Sequence, residues 1–435
     1  MNNAIAYIYF ICSMLYTIPL IAQESDSIYA KTTNSDSLHY PIKIDTISCI
    51  NFKANEITFN GADWTRLFKS MEELTDTTQE TRNVISIIHL GDSHVQAGYF
   101  TEALRMPMQM EWGNAGRGFI APLKISRSNE PVDYNITSTV QWKYSRCISG
   151  KNYSNRVGTG GISIEPITPS IDITFETISQ YGKDLSFSKF ILLHADTDSF
   201  PHLYPTNVFE ELAIQDSIFG KTCYSWKTPV NRIQLKGVNS HAPSKASIYG
   251  AILENDNNGI IIHNIGNNSA MYNNYNNIEE YGKKLACLKP KLIIISLGTN
   301  ESVYSVFNHE RFFNQIDTLV TSIRKENPDI LFLLTTPADN RLRKRKRNKN
   351  GKRLIYYVEN TNLLPIVETI KEYGALHSIA VWDWYTISGG KSAYTTWIKE
   401  GGMKKDYIHY TVKGYVQQGN LLFHSIKNAY EQHIQ

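Results

Sequence analysis

The run Val84-Ile85-Ser86-Ile87-Ile88-His89-Leu90 constrains the fold of this chain most tightly. A nearly continuous β-branched run of this length suits a strand covered on both faces, the usual setting of a central strand in a parallel sheet. It stops at Gly91-Asp92-Ser93-His94, after which Tyr99, Phe100, Leu104, Met108 and Trp112 recur at helical spacing, so the segment reads strand, tight turn, helix. Residues 291–297 repeat the buried-strand pattern and stop at Gly298-Thr299-Asn300. Residues 330–335 repeat it again and stop at Thr336-Pro337. With helical periodicity at 310–325 and 364–373, this order predicts an α/β fold, an open parallel sheet wrapped by helices on both sides.

A second texture interrupts the first. From residue 115 to about residue 250, short alternating runs such as Ile171-Asp172-Ile173-Thr174-Phe175 and Arg232-Ile233-Gln234-Leu235 are separated by Gly, Asn, Ser and Pro. That is an all-β signature, and a structureless loop of such length is rare, so the expectation is an inserted β-sandwich or jelly roll at 115–250. The sheet pattern resumes at Gly259-Ile260-Ile261-Ile262-His263. The α/β part therefore splits into 60–114 and 251–435. It opens with an amphipathic helix carrying Trp64, Leu67, Phe68, Met71 and Leu74 behind an Asn60 cap.

Residues 1–22 are apolar and followed by polar QESDSI, the pattern of an export signal, while 23–59 reads as a linker rich in Ser, Thr and Asp. The leader implies a periplasmic or secreted bacterial protein. It is also long enough to remain as an uncleaved membrane anchor. Cys12 does not end the apolar run, so it does not read as a lipoprotein cysteine. Four cysteines follow the leader, Cys49, Cys147, Cys223 and Cys287, at spacings from which no pairing can be deduced. Metal-ligand spacings such as CxxC or HExxH are absent from the sequence, and no cofactor or metal is expected. The net charge of +3 argues against nucleic acid as a partner. One dense block, Arg341-Leu342-Arg343-Lys344-Arg345-Lys346-Arg347, reads first as a solvated loop. The sharper alternative is a basic lip that grips an anionic polymer.

A serine hydroxyl becomes a useful nucleophile when it is held at an exposed turn with a base in reach and donors waiting for the oxyanion. Ser93 sits at such a turn and opens a helix, so its own N–H can face a developing negative charge. Near the other end of the chain, Asp406-Tyr407-Ile408-His409 precedes a final helix. A carboxylate three residues before a histidine can bond one imidazole nitrogen and leave the other for a serine. Gly266 and Asn300, each just after a strand, fit the donors: glycine lets an N–H approach closely, and an asparagine amide can donate to the same oxygen. Each block alone is ordinary turn chemistry. Their common order at strand ends is what one convergent site demands. His94 suits either a lining role or a helix-start role. Trp382-Asp383-Trp384 reads as a core strand end rather than a sugar-stacking wall.

These four blocks, Gly91-Asp92-Ser93, Gly266, Gly298-Thr299-Asn300 and Asp406-Tyr407-Ile408-His409, resemble those of the GDSL/SGNH hydrolases over about residues 84–115 and 255–430. The resemblance implies a flavodoxin-like three-layer fold and a catalytic triad of Ser93, His409 and Asp406. It also implies an oxyanion hole made by the Ser93 N–H, the Gly266 N–H and the Asn300 side chain. GDSHVQAGYF, the later GNAGRGFI, the long β-rich insertion and HNIGNNSA further resemble bacterial glycan O-acetylesterases of the peptidoglycan type, which carry a carbohydrate-binding-like β-domain at this place. Block two departs from the pattern: Gly266-Asn267-Asn268-Ser269 stands where Gly-x-Asn-Gly is expected. The implied substrate is an acetylated cell-wall or extracellular glycan. An O-acetyltransferase would use the same triad, and a non-catalytic glycan-binding protein would not need all four blocks.

Overall fold

The computed structural model describes residues 46–75, 81–150, 157–179, 183–207, 213–215, 220–241, 243–304, 306–347, 349 and 351–434. The leader, Cys12 and the linker up to residue 45 lie outside the described residues.

Six strands form the central sheet, in the order Ile57–Thr58, Ala380–Trp382, Leu331–Thr335, Leu292–Ser296, Val84–Gly91, Gly259–Gly266. The last five are mutually parallel, and Ile57–Thr58 is an antiparallel edge. Counted along the chain, the parallel strands lie in the order 2-1-3-4-5, the flavodoxin-like arrangement, whose switch point falls beside the first strand. Ser93 leaves the carboxyl end of that strand.

The alternation of side chains explains the three layers. Ile85, Ile87, Ile260, Ile262, Ile294 and Leu333 share one apolar core with residues of the helices Tyr99–Trp112 and Val412–Ile434. Ile88, Leu90, Ile293, Ile295 and Leu334 join the opposite core, with His309–Glu326 and Leu363–Leu376. His89, fully buried in the first strand, is tolerated because the Thr101 and Ser296 hydroxyls lie at its ring nitrogens, at 2.9 and 3.0 Å. Burial pushes its pKa down to about 3, so it stays neutral.

Between the first and second parallel strands the chain builds two antiparallel sheets. The larger contains Ala213–Gln215, Lys221–Val230, Phe187–His194, Ile248–Glu254, Ile162–Pro166 and Trp142–Arg146, with Gly118–Ile120 also paired to Ile248–Glu254. The smaller runs Tyr134–Ser138, Ser170–Thr177, Arg232–Val238, Tyr204–Pro205. Ile136, Ile173, Phe175, Ile233 and Leu235 of the smaller sheet pack with Phe190, Leu192, Tyr224 and Ile248 of the larger. The Phe175 and Phe190 rings meet edge to face at 4.9 Å. The same apolar core continues to the underside of the central sheet.

A buried ion network ties this β-rich segment to the helix after Ser93. Arg117 bonds both oxygens of Asp133, at 2.9 and 3.0 Å, and Arg105 on Tyr99–Trp112 bonds Asp133 and Glu102. Burial alone would raise the Asp133 carboxyl, but the two guanidinium groups hold it below the ordinary range.

Four local readings change. Asn60 does not cap the first helix. It takes φ 55° and donates its side-chain amide to the Ile379 carbonyl, while Asp63 accepts the Thr65 N–H at the start of Thr65–Glu73. Residues 46–59, read as linker, are folded: Ile47, Ile50 and Ile57 are buried, because their apolar side chains close the sheet edge. The strand Ile248–Glu254 extends past 250, since its register with Phe187–His194 continues to Glu254. The basic block is a strand rather than a loop: Arg341–Arg347 pairs with Arg353–Glu359. Cys49, Cys147, Cys223 and Cys287 are free thiols, and burial pushes that of Cys147 up to about 12.

Candidate active site

Ser93 is the first residue of a four-residue helix, Ser93–Gln96, capped by the Asp92 side chain, which accepts the His94 N–H. Its Oγ lies 3.0 Å from His409 Nε2. His409 Nδ1 lies 2.8 Å from Asp406 Oδ2, while Asp406 Oδ1 accepts the backbone N–H groups of Ile408 and His409, each at 3.0 Å. A carboxylate can only accept, so Nδ1 carries the proton and Nε2 is left to take one from Ser93. Burial works to raise the Asp406 carboxyl, but the bonds from His409 and Ile408 outweigh it and hold its pKa far below the carboxylate range.

The turn that brings Asp406 and His409 together is strained and locked. Tyr407 takes φ 63°, a left-handed conformation that a bulky residue adopts only when its surroundings enforce it. Its carbonyl accepts the Arg341 N–H, and its ring packs on Tyr357 at 4.4 Å and Tyr394 at 5.4 Å. The Lys404 N–H closes the turn onto the His409 carbonyl at 2.8 Å.

His94 joins the two ends of the chain. Its Nδ1 lies 2.9 Å from Asp92 Oδ1 and its Nε2 3.1 Å from the Ile408 carbonyl, and its ring stacks on His409 at 5.5 Å. Both partners are acceptors, so this geometry favours a proton on each ring nitrogen and hence the cationic ring. Burial opposes that charge, but Asp92 and the Ile408 carbonyl raise its pKa above the ordinary value.

The surroundings of Asn300 and Gly266, the expected oxyanion donors, are organised differently. Gly298 takes φ 113°, a conformation open to glycine, and turns the chain into the helix Thr299–Tyr304. The Asn300 amide nitrogen donates to Asp92 Oδ2 at 3.1 Å and to the Ala270 carbonyl at 3.0 Å, so both of its protons already have protein acceptors. Glu301, next in the chain, accepts the Tyr272 and Gly298 N–H groups, and burial pushes its carboxyl up to about 7. Gly266 ends its strand opposite Gly91, against the nucleophile helix. A Cβ there would lie 2.1 Å from the Gln96 nitrogen, so glycine is required for the approach itself. The loop after it is held by Gln96, whose side-chain carbonyl accepts the Asn268 N–H at 2.6 Å and whose amide reaches Ser128 and Asn129 of the β-rich segment.

The structure thus brings Ser93, Asp406 and His409 into one hydrogen-bonded chain, sets Asn300 beside it through Asp92, and places Gly266 behind Gln96. Sequence reasoning passed over Asp92, which serves both His94 and Asn300. The available signal was an acid directly before the nucleophile at a helix start. Trp382 and Trp384 are 0% and 1% exposed, and Asp383 caps Trp384–Ile387, so they belong to the core.

No family model and no curated protein matches the chain. Among solved structures, a peptidoglycan O-acetylesterase superposes with a TM-score of 0.68 at 18% identity, covering 86% of this chain and 99% of its own. A lipase/acylhydrolase from Enterococcus faecalis aligns at 20% identity over 39% of this chain and 77% of its own, TM-score 0.28. A GDSL-like lipase from Bacteroides thetaiotaomicron aligns at 16% identity over 40% and 76%, TM-score 0.28. With its 2-1-3-4-5 parallel sheet and its likeness to the O-acetylesterase over nearly all of that chain, this protein has the SGNH hydrolase fold, with additional all-β sheets.

Proposed function

We propose that the protein is a serine esterase that removes O-acetyl groups from a cell-wall or extracellular polysaccharide, of the peptidoglycan type, through an acetyl-serine intermediate. The observation that carries this reading is the chain Ser93 Oγ, His409 Nε2, His409 Nδ1, Asp406 at the carboxyl end of the sheet. Ser93 Oγ bonds the acetyl carbonyl carbon as its proton passes to His409 Nε2, and the same proton goes to the departing sugar oxygen. Water then attacks the acetyl-serine, His409 takes its proton, acetate leaves, and the proton returns to Ser93. Asp406 stays a carboxylate and fixes the imidazole. The Ser93 N–H receives the oxyanion, joined by the Asn300 amide once it is shared with, or released from, Asp92.

One further feature favours a polymeric substrate. The side chains of His409 and Asp406 are 37% and 44% exposed, which suits an extended substrate lying across the surface. The solved protein of similar fold is a peptidoglycan O-acetylesterase, which supports the substrate class. On this reading the protein works in the cell envelope, and the segment 115–250 shapes the cleft through Ser128 and Asn129.

The test is acetate release from O-acetylated peptidoglycan, from acetylated xylan and from a small acetyl ester, by wild type and Ser93→Ala. Release that Ser93→Ala abolishes is the expected result. Release unaffected by Ser93→Ala, or none from any substrate, would overturn the reading.

A further inference from the structure

The hairpin of Arg341–Arg347 and Arg353–Glu359 has a composition that its fold alone does not require. Within residues 341–359 the chain places nine basic side chains and one acid, whereas the whole chain carries a net charge of only +3. The register sorts them, because directly opposed residues of an antiparallel pair share a face and successive residues alternate. Arg343 opposes Tyr357, Arg345 opposes Ile355 and Arg347 opposes Arg353, so these residues share one face with Arg341. Lys344 opposes Tyr356 and Lys346 opposes Leu354, on the other face. One face is therefore an arginine row and the other carries lysines with apolar neighbours.

The arginine row is the face turned to the catalytic turn. Tyr357 packs on Tyr407, and Arg341 anchors the base: its N–H reaches the Tyr407 carbonyl and its guanidinium donates to Tyr394 Oη and the Tyr357 carbonyl. From that base Arg343, Arg345 and Arg347 extend outward at every second residue, a span of about 14 Å. Glu359, the acid of the hairpin, pairs with Lys391 at 2.8 Å. Among the described residues no carboxylate is recorded against Arg343, Arg345, Arg347 or Arg353, so the row is not neutralised from within. Exposed aliphatic surface accompanies it, with Ile355 of the same face 48% exposed.

We propose that this arginine row is a second binding site, for the carboxylates of an acidic glycan whose acetyl ester lies at Ser93. Arginine fits the ligand better than lysine would: its planar fork pairs with a carboxylate through two parallel bonds, and it is charged at every working pH. A regular row that starts beside the Tyr407 turn suits a polymer that presents carboxylates repeatedly. The site holds the chain in register while Ser93 acts on one unit. This inference rests on the esterase reading and narrows its substrate to anionic glycans.

The experiment has a binding arm and a kinetic arm. In the first, Ser93→Ala protein is titrated with polygalacturonate, with xylan and with anionic phosphatidylglycerol vesicles, in the background of R343Q/R345Q/R347Q and, separately, of K344Q/K346Q. Polygalacturonate binding should weaken about tenfold in the arginine variant, fall with salt, and change less than twofold in the lysine variant. In the second, acetylated polygalacturonate should show a raised KM at unchanged kcat in the arginine variant, while a small acetyl ester is turned over as by wild type. Failure of the esterase reading leaves the binding arm intact, so the two can be told apart. Equal binding of xylan and polygalacturonate, equal loss in both variants, or vesicle binding without glycan binding would overturn the proposal.

Discussion

The two sides of the candidate site are prepared to different degrees. On the acid–base side every bond that the proposed first step needs is already made, at 3.0 Å from Ser93 to His409 and 2.8 Å from His409 to Asp406. On the oxyanion side the Asn300 amide is engaged with Asp92 and Ala270, and Gly266 serves the packing of the nucleophile helix. On the proposed mechanism, the difference teaches that nucleophile activation is built into the fold, whereas oxyanion stabilisation draws on a donor that must be shared with, or released from, Asp92. Asp92 is the hinge of the comparison, since one of its oxygens serves Asn300 and the other His94.

The largest expected effect is on the prepared side. Asp406→Asn should lower kcat on a small acetyl ester by about 10⁴-fold, since an amide at Nδ1 permits the wrong tautomer. A loss under tenfold would show that the carboxylate does not fix His409. On the other side, Asn300→Ala should lower kcat by roughly 10²–10³-fold with KM nearly unchanged, because the interaction matters only as the oxyanion forms. A loss confined to KM would instead make Asn300 a substrate-binding group and break the comparison.

Gly266→Ala should act through structure. The added Cβ must displace Gln96, so we expect about 1–3 kcal/mol of destabilisation by chemical denaturation. Unaltered stability and activity would show that the approach to Gln96 is slack.

His94→Asn should have the smallest effect, about tenfold on kcat, with a diagnostic pH dependence. Because the folded protein raises the His94 pKa, its contribution to stability is fully present below the ordinary value of 6.5 and is lost as pH rises through the folded value. The gap in Tm between wild type and variant should therefore be wider at pH 6 than at pH 9. A constant gap would show that His94 is held by packing alone.

Much of this was legible in the sequence because it is local or periodic. The unbroken run before Gly91 can be satisfied only by burial on both faces, and the strand Val84–Gly91 is buried from Ile85 onward. The Asp406-to-His409 spacing likewise encodes a turn that closes on itself, as the bonds to Asp406 Oδ1 show. What stayed illegible depends on long-range partners. Asn60 has the chemistry of a cap but is taken by Ile379, far along the chain. The strand character of 341–347 was hidden because like charges favour a solvated loop, and only the opposite strand Arg353–Glu359 supplies the ladder. The engagement of Asn300 with Asp92 could not be read at all, since it joins two strand ends whose adjacency is a property of the sheet order.

The central claim is that Ser93 is the group acylated during turnover. Wild-type protein mixed with an acetyl ester, quenched in acid within a turnover and digested for peptide mass mapping, should carry acetyl on the peptide containing Ser93, and Ser93→Ala should carry none and release no acetate. Ester hydrolysis that persists in Ser93→Ala, or acetyl found only elsewhere, would contradict the account.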